Sequence, residues 1–422
     1  MTFTKSSEKL MKFFVEDFDK FCVKRKSSVQ KNIDRILKIF YNDIKLCDDY
    51  VNILSKRLFL NSAVKEIKTP KDIPRTHLFD SKYMPENVKL YITRTAIGYF
   101  KMSTWMHGKI RINIYFLLFN KNDFNNLKKI EKKLEEALKI IRFCSLYMKK
   151  EDLDSLNIYL YLSKINKELP KNTLNVLDEN HCNSAVTFAC QEKGELLIFR
   201  EEEWEKVLLH ELFHCMCLDF SGINTQNLKK DIKKLFDVKS DFEMSEAYTE
   251  FWATIINSCF ISYKLLDDKY DINSFFLFSE FCIQFEKIFS LFQCVKILNY
   301  MGLRYENLFK NDAISISFRK ILYKENTNVL SYYIIKTILL YYSDDFLQWC
   351  LKNNPNIIGF DKTPLTLKKF GSFIEKKYDR QDFVKIISQM ELIFIKIRGK
   401  YTRPNRSNIA RTTRMTICEF DI

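Results

Sequence analysis

Apolar positions in the first 75 residues recur every three or four places: Leu10, Phe13, Phe14, Phe18 and Phe21, then Ile33, Ile36, Leu37 and Phe40. That period predicts amphipathic helices, punctuated at their end by Pro70 and Pro74. From residue 88 the period falls to two. Residues 88–105 and 110–119 are predicted strands of one hairpin, turning through Met106-His107-Gly108-Lys109. Ile110, Ile112, Ile114 and Phe116 alternate there with Arg111, Asn113 and Tyr115. A long helix is expected over 125–149, with Leu127, Ile130, Leu134, Leu138, Ile141 and Phe143 as its stripe. Residues 156–162 read as a strand, 183–190 as another, and 191–194 as a turn into a third over 195–200. Beyond Gly222 the pattern is helical to about 398, in segments 227–238, 242–265, 275–303 and 326–351. The order predicts an α+β fold: a helical region 1–80, a mixed sheet lobe 81–222, a mainly helical C-terminal lobe 223–400, and a tail 401–422 that docks or stays free.

Between the last strand and Gly222 lies a run that is apolar nearly all round: Val207, Leu208, Leu209, Leu212, Phe213, Met216 and Leu218. It predicts a buried helix. Glu201, Glu202 and Glu203 are expected to occupy its start, where the helix dipole favours negative charge. Inside it sits His210-Glu211-Leu212-Phe213-His214, the His-Glu-x-x-His spacing of zinc hydrolases. Residues four apart on a helix lie about 6 Å along the axis and about 40° round it, so both imidazoles can meet one ion. Glu211 stands beside the first ligand, where it can hold and deprotonate a metal-bound water. The chain has only 5 histidines, and no other His, Cys and acid cluster has ligand spacing, so one zinc per chain is expected. His77, His107 and His181 read as surface, turn and loop residues without a role. Cys217 shares the face of His214 but is taken as a small core filler rather than a fourth ligand.

Catalytic zinc needs a third protein ligand. Glu246 and Glu250 lie one turn apart in the predicted helix over 242–265. One can bind the metal while the other accepts the N–H of a ligating histidine. These residues resemble the gluzincin metallopeptidases, in which a Glu-x-x-x-Asp helix follows His-Glu-x-x-His. The resemblance implies a zincin-like fold with Glu246 as the ligand and Glu250 in the place of the second acid. It implies an exposed edge strand over 183–188, where Ser184, Ala185 and Val186 would pair with an extended peptide. It also implies a Tyr or His from the C-terminal lobe donating to the oxyanion. Tyr332 or Tyr333 could do so, and Tyr333 is assigned that role. The rival metzincin pattern fails, because its Gly and third-His positions are Cys217 and Phe220. Over residues 180–255 the chain also looks like uncharacterised metallopeptidase-like proteins of large DNA viruses, which implies a place in host cytoplasm or virion.

Composition adjusts this reading at a few points. Gly (8) and Pro (7) are scarce, which favours long helices over tight turns. The 12 cysteines show no Cys-x-x-Cys and no scaffold spacing, so a reduced, cytoplasmic protein is expected. The N-terminus lacks the apolar run of a secretory signal, and residues 332–342 are too short to span a bilayer. The net charge of +15 permits a nucleic-acid partner, but the basic residues are mixed with acids, so a peptide or protein substrate is preferred. Two alternatives to a peptidase stand: a zinc-stabilised structural or virion-associated protein without turnover, and a basic nucleic-acid-associated protein. The intact Glu211 argues against the first.

Overall fold

The computed structural model describes residues 2–22, 27–59, 62–149, 153–398 and 407–421. Among these, six strands form one mixed sheet: β1 (Ala63–Glu66), β2 (Gly98–Met106), β3 (Ile110–Leu118), β4 (Ser155–Ser163), β5 (Ala185–Thr187) and β6 (Lys193–Arg200). Their spatial order is β1-β2-β3-β4-β6-β5. The β1, β2 and β3 strands run antiparallel in sequence, whereas β3, β4 and β6 are parallel neighbours. β5 returns antiparallel to β6 and forms one edge, with Ala185 opposite Ile198. The β2–β3 turn uses left-handed φ at both His107 (53°) and Gly108 (66°), as a tight hairpin requires.

Alternation along the strands builds two apolar layers, one on each face of the sheet. Phe100, Ile112, Ile114, Ile158 and Ile198 belong to the main core. Against it pack the helices α1 (Ser27–Leu58), α2 (Leu127–Ser145) and α3 (Trp204–Cys215). Leu117, Tyr159, Tyr161, Leu197 and Phe199 point the other way, onto Val88 and Ile92. Those two residues lie on a helix, Glu86–Thr95, in a stretch whose alternation predicted a strand from 88. The correction has a local cause. Pro85 and Glu86 open a helix, and Val88 and Ile92 four residues on share its buried face. The strand starts only at Gly98. The expected strand over 183–190 is also shorter, reduced to Ala185–Thr187 before a turn.

The remaining lobe is helical, led by α4 (Met244–Leu265) and α5 (Ile272–Tyr300), which pack on each other and are buried for most of their length. The single helix expected over 326–351 is instead three pieces: a π-helical turn Leu330–Ile335, then Lys336–Tyr341 and Ser343–Asn353. Residues 401–406 of the expected tail lie outside the described residues. The rest of it, from Ser407, docks, and its interior is core: Arg414 is 1% exposed and Ile417 fully buried. Glu286 of α5 accepts the N–H groups of Ile417 (3.0 Å) and Cys418 (2.9 Å), and Lys296 donates to the carbonyl of Ile409 (3.0 Å). The two ends of the chain meet, Thr2–Phe3 pairing antiparallel with Phe420–Asp421. No helix among the described residues is long and apolar enough to cross a membrane.

Candidate metal centre

All twelve residues of α3 are buried, and the helix runs from the end of β6 between the sheet and α4. The three glutamates before it do not form its first turn, as their charge had predicted. Glu203 takes a left-handed φ of 63° as the residue before the helix, and its carboxylate is used elsewhere. It pairs with Lys167 at 2.8 Å and accepts the N–H groups of Met415 (2.6 Å) and Thr416 (2.5 Å). Glu201 pairs with Lys133 at 2.9 Å. These acids tie loop and tail together, because each has a nearer, stronger partner than the helix dipole.

One turn of helix brings His210 and His214 onto the same face, and α4 delivers Glu246 to them. The two Nε2 atoms are 3.1 Å apart, and Glu246 Oε2 lies 3.1 Å from His210 Nε2 and 3.3 Å from His214 Nε2. Donors about 2 Å from a common tetrahedral centre are roughly 3.3 Å from one another. The triangle therefore has a size that fits a metal ion, and two imidazoles with a carboxylate are a metal-binding donor set. Burial works against charge on Glu246, but His214 and His210 hold its carboxyl well below the ordinary range. Burial likewise opposes a charged His214, yet Asp219 and Glu246 pull its imidazole well above the usual value. A divalent ion takes the place of a proton held in this way.

Each histidine is oriented from behind. His210 Nδ1 lies 2.9 Å from Glu250 Oε1, and Glu250 is contacted in turn by Lys206 and, at 3.5 Å, by Lys336. His214 Nδ1 lies 2.6 Å from Asp219 Oδ2. Asp219 is fixed by the hydroxyls of Thr249 (3.2 Å) and Ser221 (2.8 Å). Neither Asp219 nor Lys206 is among the residues expected from the sequence. Lys206 did carry a signal, standing one turn before His210 on the same face.

Glu211 is 7% exposed and borders a cavity of about 50 Å³ beside His210. Burial pushes its carboxyl pKa up, against the pull of His210 and His214. Tyr332 borders the same cavity, its ring centroid 6.1 Å from that of His210. Tyr333, the residue assigned to the oxyanion, is not there. It is buried, and its hydroxyl donates to the Thr413 carbonyl at 2.6 Å. Both tyrosines lie on the π-helical turn Leu330–Ile335, and it is Tyr332 that borders the cavity.

Of the predicted edge-strand residues, Ser184 and Ala185 border the cavity, while the Val186 side chain faces away into the second apolar layer. The loop leading into this edge is clamped by Arg200. Its buried guanidinium donates to the carbonyls of Ile165 (2.8 Å), Asn180 (2.9 Å) and Asn183 (2.9 Å).

Cys217 is not a fourth ligand. It is disulfide-bonded to Cys190, with the Cα atoms 4.9 Å apart, against the expectation of a wholly reduced chain. The two are 27 residues apart in no spacing that signals a cysteine pair, and only the turn after β5 folding over the end of α3 brings them together. Both N–H groups donate to the His214 carbonyl at 3.2 Å. No family model, no curated protein and no solved structure matches this chain.

Proposed function

We propose that the protein is a zinc-dependent metallopeptidase of zincin-like architecture. The observation that carries this is the convergence of His210, His214 and Glu246 at tetrahedral donor spacing, with a separate buried carboxylate, Glu211, on the adjoining cavity. A structural site has no use for that fourth group. The architecture is supported by the antiparallel edge strand β5 next to α3, whose outer side is paired with no other strand among the described residues.

His210, His214 and Glu246 would hold the ion, with Glu250 and Asp219 fixing the two imidazoles. Bound zinc supplies Lewis acidity, polarising a carbonyl and acidifying water. The chain's own residues do the rest. An extended peptide adds to the open side of β5 through main-chain hydrogen bonds, which sets its carbonyl over the cavity mouth. Glu211 accepts the proton of the attacking water and passes it to the departing nitrogen. The Tyr332 ring faces His210 on the cavity wall, and its hydroxyl is assigned to the developing oxyanion.

The test is Glu211→Gln. Zinc content by elemental analysis and thermal unfolding should match the wild type, while cleavage of a denatured proteome, read as new termini, falls about 10²- to 10⁴-fold. Identical cleavage by both proteins would sink the assignment, as would a wild type that carries no zinc.

A further inference from the structure

The cavity bordered by Glu211 has features that bear on what enters it. It holds about 50 Å³ and is walled by Ser184, Asn183, Lys206, Lys167, Tyr332 and Met415. One water takes roughly 10–15 Å³ of such space, so there is room for about three or four heavy atoms. Polarity narrows the choice. Ser184 is 5% exposed, and its hydroxyl has no hydrogen-bond partner. A buried hydroxyl left unpaired is destabilising, and a ligand able to bond it recovers that loss. The two lysines offer no spare charge, since Lys167 is paired with Glu203 and Lys206 with Glu250.

We infer that this cavity is the side-chain pocket next to the scissile bond, and that it selects a small, neutral, polar residue: serine, threonine or asparagine. Aromatic side chains exceed its volume. Leucine and valine fit by size but leave Ser184 unpaired and the polar wall desolvated. Aspartate meets lysines that are already neutralised. Met415 brings the docked C-terminal segment into the wall, so that segment helps bound the pocket. This inference rests on the peptidase reading for its substrate, but the pocket can be probed without turnover.

The probes are three succinyl hydroxamates that share one metal-binding head and differ only in a hydroxymethyl, isobutyl or benzyl side group. Binding to the full-length, zinc-loaded protein is followed by calorimetry. The hydroxymethyl compound should bind the wild type at least about tenfold more tightly than the benzyl compound. Ser184→Ala should reduce that preference about five- to tenfold by weakening the hydroxymethyl compound alone. Met415→Ala should narrow it from the other side, by strengthening the benzyl compound. Equal or tighter benzyl binding in the wild type overturns the inference, as does no binding by any of the three, or a Ser184→Ala effect equal across the series. Binding in the expected order by a protein that cuts no peptide would keep the pocket and discard the peptidase. Cleavage beside large residues would do the reverse.

Discussion

The two histidines of the candidate metal centre are held by different physical means. Behind His210 stands a buried ion cluster: Glu250, with Lys206 from α3 and Lys336 from the helix after the π turn. Burial opposes the charge on Glu250, yet Lys206, Lys336 and His210 hold its carboxyl far below the ordinary range. Behind His214 stands a single local acid, Asp219, five residues on in the chain and steadied by two hydroxyls. One support joins three helices through charge, while the other belongs to the loop that follows the ligand. Two groups with the same task toward a ligand should therefore differ in what they do for the fold.

The largest difference is expected on removing the charge of Glu250. Glu250→Gln keeps the shape but strands Lys206 and Lys336, both 2% exposed, without their acid. Breaking a buried pair from one side costs about 3–5 kcal/mol, so denaturant unfolding should shift by that much, and zinc affinity should fall as well. A variant as stable as the wild type would show that the lysines find other partners and that the cluster is not a structural joint.

Glu325 offers an internal control, as a buried acid whose hydrogen-bond donors are neutral. It accepts from the Tyr323 hydroxyl at 2.9 Å and from the Leu330 N–H at 3.2 Å. Burial raises its pKa from 4.5 to about 8, where these neutral donors offset only part of the penalty. The folded pKa lies above the unfolded one. Its stabilising contribution is therefore complete below about pH 4.5 and lost as pH rises through about 8. The unfolding free energy of the wild type, from denaturant titrations, should fall across that window relative to Glu325→Gln, by an amount of order 1–4 kcal/mol at its upper end. Parallel curves for the two proteins would mean that Glu325 stays charged, and that lysines are not what distinguishes Glu250.

This contrast also marks what could be seen in the chain before folding. His210, Glu211 and His214, and the pair Glu246 and Glu250, follow from helical period alone, because each set sits within one turn of one helix. The hairpin follows from alternation, and the strands β4 and β6 from short apolar runs. What stayed hidden depends on tertiary choice. A stretch rich in Ile, Tyr and Thr from 88 to 95 forms a helix because Pro85 starts one there. Tyr332 rather than Tyr333 faces the ligands because the π-helical turn sets the phase. Glu201 to Glu203 serve distant lysines and the C-terminal segment rather than their own helix. The Cys190–Cys217 bond and the burial of residues 412–418 join parts of the chain that no local pattern connects.

The smallest effect on the fold, and the sharpest on the site, belongs to Asp219. Asp219→Asn strands no buried lysine: it removes one charge from beside a single imidazole, and its other partners, Ser221 and Thr249, are neutral and can bond a carboxamide. Unfolding free energy should change by about 1 kcal/mol, in line with one altered hydrogen-bond set. Zinc affinity, measured by chelator competition, should still fall about 10- to 100-fold. The carboxylate that orients His214 and raises its basicity toward a metal is gone, even though the ligand remains. Setting this variant beside Glu250→Gln separates the two tasks. If both lose zinc to a similar degree while only Glu250→Gln loses stability, orientation of the ligands and cohesion of the helices are independent functions of the acids behind them. If Asp219→Asn unfolds as readily as Glu250→Gln, the loop after His214 is itself a structural joint, and charge is not what sets the two supports apart.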